Sequence, residues 1–326
     1  MMDAIPVTMV TGFLGAEKST LLLRWLEDLP REQVAVVVNE QGAVGIDGAL
    51  LSDHVSRLRE ITGGCVCCVT QAALDAALLD FAESTPAPTR IIVETSGAAS
   101  PAGVIRALTR GDARNHLRLD GVVTVIDGAR ARRALEFPLA IEQLGFADVV
   151  AISHVDACTD DDLVSLEGDL GAYAPGAVIA RVRRGELQAP NAGTLLELLD
   201  ARVGVVRVPP SDDRARHGID AASFVHDGEL DEQRFGDWVE QTLGAIEARI
   251  LRVKGILAVQ GVDERVIVQG VGEAIEVTLG AAWGDAPRTS RLVVLGLDLD
   301  EAGLRAGFSA CATPSSRTAP SPPARP

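Results

Sequence analysis

Two kinds of hydrophobic pattern alternate along the first two-thirds of the chain. Short, mainly apolar runs occur at Ile5 to Val10, Val34 to Val38, Ile91 to Val93, in GVVTVID, in DVVAIS and in AVIARV. Runs of this length, rich in branched residues, predict strands buried on both faces. VSRLREIT alternates weakly and predicts a further short strand. Between these runs the apolar residues recur at helical spacing. KSTLLLRWLEDL places Leu22, Trp25, Leu26 and Leu29 on one face, and TQAALDAALLDFAES does the same with Leu74, Ala77, Leu78 and Phe81. SPAGVIRALTR predicts a helix with Ser100 as N-cap and Pro101 at the first position, and TLLELLDAR a short one. Strands alternating with helices imply an α/β domain whose mainly parallel sheet is covered on both faces. Polar residues gather just after the strands, on the edge where such sheets bind ligands.

The pattern changes after residue 207. Val208 to Gly218 carries Pro-Pro and charges without apolar period and predicts a linker over 208–218. Beyond it, SFVHDG, ILRVKGILAVQG, ERVIVQGV, AIEVTLG and SRLVVLGLD predict strands at meander spacing. An amphipathic helix in DEQRFGDWVEQTLGAI and a closing one in LDEAGLRAGFSAC accompany them. This second unit, 219–312, reads as a smaller α+β domain following a first domain over 1–207. The tail 313–326 is rich in Pro and Ser and reads as disordered.

Composition narrows the function classes. The chain has 326 residues, 47% of them apolar and only 3% aromatic, so its cores are aliphatic. A formal net charge of −16 argues against a nucleic-acid or anionic-membrane surface, which needs clustered Lys and Arg. It leaves room for a nucleotide in one local electropositive pocket. No apolar run approaches the roughly 18–20 residues of a membrane span, and the N-terminus lacks a signal-type segment, so a cytoplasmic setting is expected. In that setting five cysteines, three of them clustered at 65, 67 and 68, suggest metal or redox chemistry rather than disulfides.

Four stretches carry chemistry. GFLGAEKS, Gly12 to Ser19, sits between a predicted strand and a predicted helix, the context of a phosphate-binding loop. Backbone N–H groups there point at phosphate oxygens, Lys18 reaches the terminal phosphates and the Ser19 hydroxyl ligates Mg²⁺. Position 17, where the pattern has glycine, is Glu17. A carboxylate about 4 Å from a phosphate costs roughly 4 kcal/mol at an effective dielectric near 20, so its removal is expected to tighten GTP. Glu94 ends RIIVE and is placed to hold Mg²⁺ or position the attacking water. Ser153-His154-Val155-Asp156 stands where P-loop GTPases carry Asn-Lys-x-Asp, with Asp156 in place to read guanine. The bland alternative makes Asp156 the N-cap of the next helix. Cys65, Cys67 and Cys68 form a thiolate cluster suited to Zn²⁺ or Cu⁺, with a fourth position open. A buried apolar cluster or a redox switch would use the same residues. Cys158 and Cys311 are isolated and read as packing residues, and His54 or His226 could supply a fourth ligand.

Taken together, GFLGAEKST, VNEQGAVGIDGALL, GGCVCC, VETSGAASP and VVTVID resemble the CobW-type P-loop GTPases, metal-handling GTPases and zinc metallochaperones. The resemblance extends through LRVKGILAV, QGV and WGD to about Cys311, and its most specific mark is GGC-x-CC. It implies that Gly12, Gly15, Lys18, Ser19 and Thr20 hold the phosphates and Mg²⁺, that Glu40 lies in the first switch, and that Glu94 lies in the second nucleotide strand. It also implies that Cys65, Cys67 and Cys68 bind zinc. Three departures stand out: Glu17 for glycine, Ser153-His154 for Asn-Lys, and Ala43 for the family's usual Glu. The implied function is GTP hydrolysis to GDP and phosphate, coupled to zinc binding and delivery to a client metalloprotein. A non-hydrolysing metal-binding or scaffold protein that keeps the fold is the alternative, and Glu17 favours it.

Overall fold

The computed structural model describes residues 4–40, 51, 54–62, 68–109, 112–174, 176–188, 194–201, 220–244, 250–271, 274–296 and 299–313. Cys65, Cys67, Ala43, the turn at Asp47-Gly48, the whole expected linker and the expected tail after Thr313 lie outside them.

The first sheet has eight strands: β1 (Ile5–Gly12), β2 (Val34–Glu40), β3 (Arg57–Thr62), β4 (Arg90–Glu94), β5 (Leu117–Asp127), β6 (Val149–Ser153), β7 (Val178–Arg183) and β8 (Glu186–Leu187). Their spatial order is β3-β2-β4-β1-β5-β6-β7-β8, all parallel except the last pair. The unbroken apolar runs follow from this placement. In β2, Ala35 and Val37 join one apolar cluster while Val34, Val36 and Val38 join another, so every residue of the run is buried. In β4, Ile91 and Val93 face one side and Ile92 the other.

Helices α1 (Lys18–Glu27), α2 (Cys68–Glu83), α3 (Ala102–Thr109), α4 (Ala131–Ala134), α5 (Pro138–Gly145), α6 (Asp160–Tyr173) and α7 (Leu195–Ala201) connect the strands. The sheet's two faces are covered separately. Leu22, Trp25 and Leu26 of α1 share a cluster with Leu195 and Leu199 of α7; Leu74, Ala77, Leu78 and Phe81 of α2 share the opposite one with α3. Leu29, expected on the buried stripe of α1, falls just after the helix and is only half-buried.

Two helix starts differ from expectation. Helix α3 begins at Ala102, and the Pro101 carbonyl accepts from Ile105, so the cap lies one residue later than Ser100. Ser100 instead accepts from the Ala102 N–H and donates to Glu142. Helix α6 is capped by Thr159, whose hydroxyl accepts from the Asp162 N–H while the Asp162 carboxylate accepts from the Thr159 N–H. Asp156 is therefore not that helix's cap.

The second unit is a five-stranded antiparallel sheet of β9 (Asp220–Asp227), β10 (Ile250–Leu257), β11 (Glu264–Val271), β12 (Ala274–Ala282) and β13 (Thr289–Gly296), in the order β12-β11-β10-β13-β9. Helices α8 (Glu232–Trp238) and α9 (Glu301–Ala310) pack on one face, where Phe224, Phe235, Trp238 and Phe308 form an aromatic cluster. Cys311 is buried in the same core.

The two units meet through buried charge. Asp148, at the root of β6, pairs with Arg252 and, at 3.1 Å, with Lys254, both from β10. Arg252 also donates to the Phe146 carbonyl at 2.7 Å and Lys254 to the Gly176 carbonyl at 3.4 Å. The other carboxylate oxygen of Asp148 accepts from the Val122 N–H at 2.9 Å, tying β6 to β5.

Candidate functional site

The site is assembled where β1, β4, β5 and β6 end. β1 enters the turn Phe13–Glu17, and α1 leaves it at Lys18. Gly12 has φ 140° and Gly15 φ 77°, both in the region that favours glycine. Glu17 occupies the left-handed region too, at φ 64° and ψ 36°, where a side chain costs about 1–2 kcal/mol. The backbone at 17 thus keeps a conformation that glycine would adopt freely. Its carbonyl accepts from the Leu21 N–H at 3.1 Å and starts α1.

Two polar links close the turn. Lys18 Nζ donates to the Phe13 carbonyl at 3.4 Å, which folds the ammonium back over the loop. Ser19 Oγ donates to Glu94 Oε1 at 2.6 Å, and Glu94 is buried. Parallel pairing sets that contact: β4 lies beside β1 with Glu94 opposite Val10. One residue on, Thr95 donates to Thr11 at 2.8 Å and its N–H to the Val10 carbonyl at 2.9 Å. Gly97 then brings the chain against the loop, since a Cβ there would lie 2.8 Å from the Leu14 nitrogen. Gly12, Gly15, Lys18, Ser19 and Glu94 thus lie together around the turn, with Thr20 in the first turn of α1.

A second set of residues was not foreseen. Asp127, the last residue of β5, accepts through Oδ1 from the Ala129 N–H at 2.9 Å and the Arg130 N–H at 3.2 Å. Arg130 Nε lies 3.8 Å from Oδ2, and an Arg130 Nη1 stands 3.9 Å from where a Cβ on Gly15 would be. Phe137, just before α5, stacks on Phe13 with ring centroids 5.1 Å apart. Each of Thr95, Gly97 and Asp127 closes or follows an apolar run, which is the signal that could have found them.

The segment after β6 reaches the loop directly. His154 is left-handed, φ 51° and ψ 32°, and its Nε2 lies 3.6 Å from Glu17 Oε2 and 3.9 Å from Asp127 Oδ2. The Glu17 carboxylate therefore lies beside the His154 ring on the β6 side. Asp156 follows in an exposed 3₁₀ turn, Val155–Ala157.

The cysteines divide into two groups. Burial first, and the carboxylates of Asp162, Asp127 and Asp156 next, push the Cys158 thiol above its ordinary range. Burial pushes Cys311 up likewise. Both are poor thiolates and fit the packing role. Of the motif, Cys68 is the first residue of α2, while Cys65 and Cys67 lie outside the described residues, as does the Cys68 side chain. Among the described residues no group of three or more His, Cys, Asp or Glu is disposed to hold a metal, so His54 and His226 join none there. Glu40 ends β2 directly opposite Thr62 of β3, and Val38 lies opposite Glu94.

A strand ending in a positive-φ glycine, a turn with two further left-handed residues, Lys-Ser, and a buried carboxylate on the neighbouring strand define a P-loop nucleotide-binding domain. Known proteins agree. Residues 6–181 match the family described as CobW/HypB/UreG, nucleotide-binding domain, and residues 219–312 match the cobalamin synthesis protein cobW C-terminal domain. The zinc chaperone CobW of Pseudomonas aeruginosa is 30% identical, over 92% of this chain and 89% of that protein. The zinc chaperone YjiA of Escherichia coli is 29% identical, over 94% and 99%. The crystal structure of Zn(II)-bound YjiA GTPase superimposes with a TM-score of 0.69 at 24% identity, over 96% of this chain and all of that one, and so shares the fold. The chain belongs to the CobW family.

Proposed function

We propose that the chain is a GTP-binding zinc metallochaperone that hydrolyses GTP to GDP and phosphate and couples nucleotide state to holding zinc and passing it to a client metalloprotein. The observation that carries the reading is a register. β2 and β3 run side by side to Glu40 and Thr62, next to the strand that ends at Glu94. The thiolate motif follows Thr62 in the chain, so an element leading to the metal is hydrogen-bonded to elements that lead to the nucleotide. Order and disorder of such segments is a known GTPase device. The relatives' names, zinc chaperones, support the same assignment.

The proposed reading gives each site residue a role. Gly12, Gly15, Lys18, Ser19 and Thr20 hold the phosphates. Lys18 exchanges the Phe13 carbonyl for a phosphate oxygen. The Ser19 hydroxyl and Glu94 carboxylate, 2.6 Å apart, are the hard oxygen donors that Mg²⁺ takes, so the residues fit that ion, with Glu40 near it. Bound Mg²⁺ supplies charge neutralisation at the phosphates. Glu94 holds the ion, directly or through water, or positions the attacking water. Cys65, Cys67 and Cys68 take zinc as cargo. The proposed setting is the cytoplasm, where thiols stay reduced; among the described residues no helix is long and apolar enough to cross a membrane. Glu17 favours the second reading, a metal-binding protein that does not turn GTP over.

Measuring GTP affinity, GTP turnover and zinc stoichiometry on one preparation tests this. We expect one zinc per chain, held more weakly as pH falls because thiols must lose protons to bind. Zinc and GTP should tighten each other by one common factor. A triple Cys65, Cys67, Cys68→Ser variant that still holds one zinc tightly would refute the metal assignment. Absence of turnover with GTP bound selects the non-hydrolysing alternative.

Base recognition is assigned to Asp156. Asp156→Ala should weaken GTP without lowering the melting temperature, since the residue is exposed and caps no α-helix. Equal affinity of the unaltered protein for ATP and GTP counts against the assignment. For the domain boundaries, limited proteolysis is expected to cut first between Pro209 and Gly218 or after Thr313. Early cleavage within Val34 to Val38 would contradict them.

A further inference from the structure

Among the described residues, non-glycine residues in the left-handed region are Glu17, His154 and Arg184. Two of these three face each other across the site. Strained residues of this kind persist where their surroundings hold them, and they gather at functional sites. The same two positions are departures from the GTPase pattern: a loop glycine has become Glu17, and a base-motif lysine has become His154. One is 137 positions from the other in the chain, yet Nε2 and Oε2 are 3.6 Å apart.

We propose that Glu17 is a positioning residue for His154, and that the bridge Glu17–His154–Asp127 does together what glycine and lysine do separately in related GTPases. The inference rests on the nucleotide site proposed above. The imidazole is bracketed by two carboxylates. Asp127 is fixed by the Ala129 and Arg130 N–H groups on Oδ1, so its Oδ2 keeps its direction toward His154, 3.9 Å away. Glu17 approaches from the loop. The charged groups around the ring are thus Glu17, Asp127, the Arg130 guanidinium beside Asp127, and Asp156 two residues on.

Two consequences follow for binding. The ring is held against the loop on the side of Asp156, where it can flank a base as the lysine stem does. The Glu17 carboxylate in turn sits beside the ring, 3.6 Å from Nε2, and in this proposal that placement presents less of its charge to the phosphates. Each residue limits the harm done by the other's departure from the pattern.

The two substitutions should therefore be non-additive. GTP affinity is measured for the unaltered protein, His154→Ala, Glu17→Gly and the double variant, with ATP in parallel and melting temperatures without nucleotide. His154→Ala releases the carboxylate and should weaken GTP about tenfold. Adding Glu17→Gly to that variant should restore GTP to within about threefold of the unaltered protein. Glu17→Gly alone frees the ring and should lower the GTP-to-ATP affinity ratio at least threefold. A purely structural role for the pair would move melting temperature and leave that ratio in place, which would overturn the proposal. Additive effects on GTP, or no effect of His154→Ala, overturn it as well. If the unaltered protein binds ATP or GTP and the effects add, only this inference falls. If it binds neither, the nucleotide reading falls and takes this inference with it.

Discussion

Asp148→Ala should destabilise the chain by about 3–5 kcal/mol, the usual cost of removing one partner from a buried ion pair. The Asp148 and Arg252 side chains are only 1% and 3% exposed, and Lys254 is at 11%. Without the carboxylate, two buried cations from β10 would lose their Asp148 partner, and the Val122 N–H would lose its acceptor. Alanine restores none of these bonds and leaves a cavity. Replacing all three charges together, as Asp148→Leu, Arg252→Met and Lys254→Met, should recover most of the loss, because burying charge without this carboxylate costs more than the attraction itself contributes. Urea unfolding of the single and triple variants decides the point. A single-variant cost below about 1 kcal/mol, the range of exposed pairs, would mean that water reaches the cluster.

Gly12→Ala should cost roughly 4 kcal/mol, combining backbone strain with overpacking. Position 12 has φ 140°, and a Cβ there would lie 2.1 Å from the Val125 carbonyl oxygen and 2.9 Å from its nitrogen. These are backbone atoms of β5, paired opposite Gly12, so no rotamer change relieves the overlap. Either β1 and β5 separate or the turn into the phosphate loop changes course. Both movements displace Lys18 and Ser19, so GTP binding should fall more than stability alone explains. Thermal unfolding with and without GTP separates the two effects. A variant with unaltered melting temperature would show that the strands part easily. The sequence motif marks Gly12 as a phosphate-loop residue, and the structure adds a packing reason for the same glycine.

Periodic features were legible and pairwise ones were not. The run Val34 to Val38 announced a strand buried on both faces because each residue had an apolar neighbour on one side or the other. The stripe Leu74, Ala77, Leu78 and Phe81 announced α2 for the same reason. The Ser19–Glu94 contact could be anticipated, since loop and strand end belong to one motif set. Asp148, Arg252 and Lys254 left no such trace. A single polar residue near a strand reads as exposed until its partner about a hundred positions away is known. Helix α6 entered the sequence reading only as the helix that Asp156 would start, because Gly168 and Gly171 weaken its helical signal. Its cap was nevertheless readable as Thr159-x-x-Asp162, a signal that the nearby Asp156 obscured.

The pairing of Glu40 with Thr62 also fixes a reaction order. Cys65 is three residues beyond Thr62, and three residues span at most about 11 Å. In the proposed function, a Cys65 thiolate on that tether would keep a constant, high local concentration relative to the end of β2, however dilute the protein. Communication between the two is therefore a first-order event. Its rate should be the same in a sparse and a crowded solution, whereas the proposed hand-over of zinc to a client, a second-order encounter, should scale with the client's concentration.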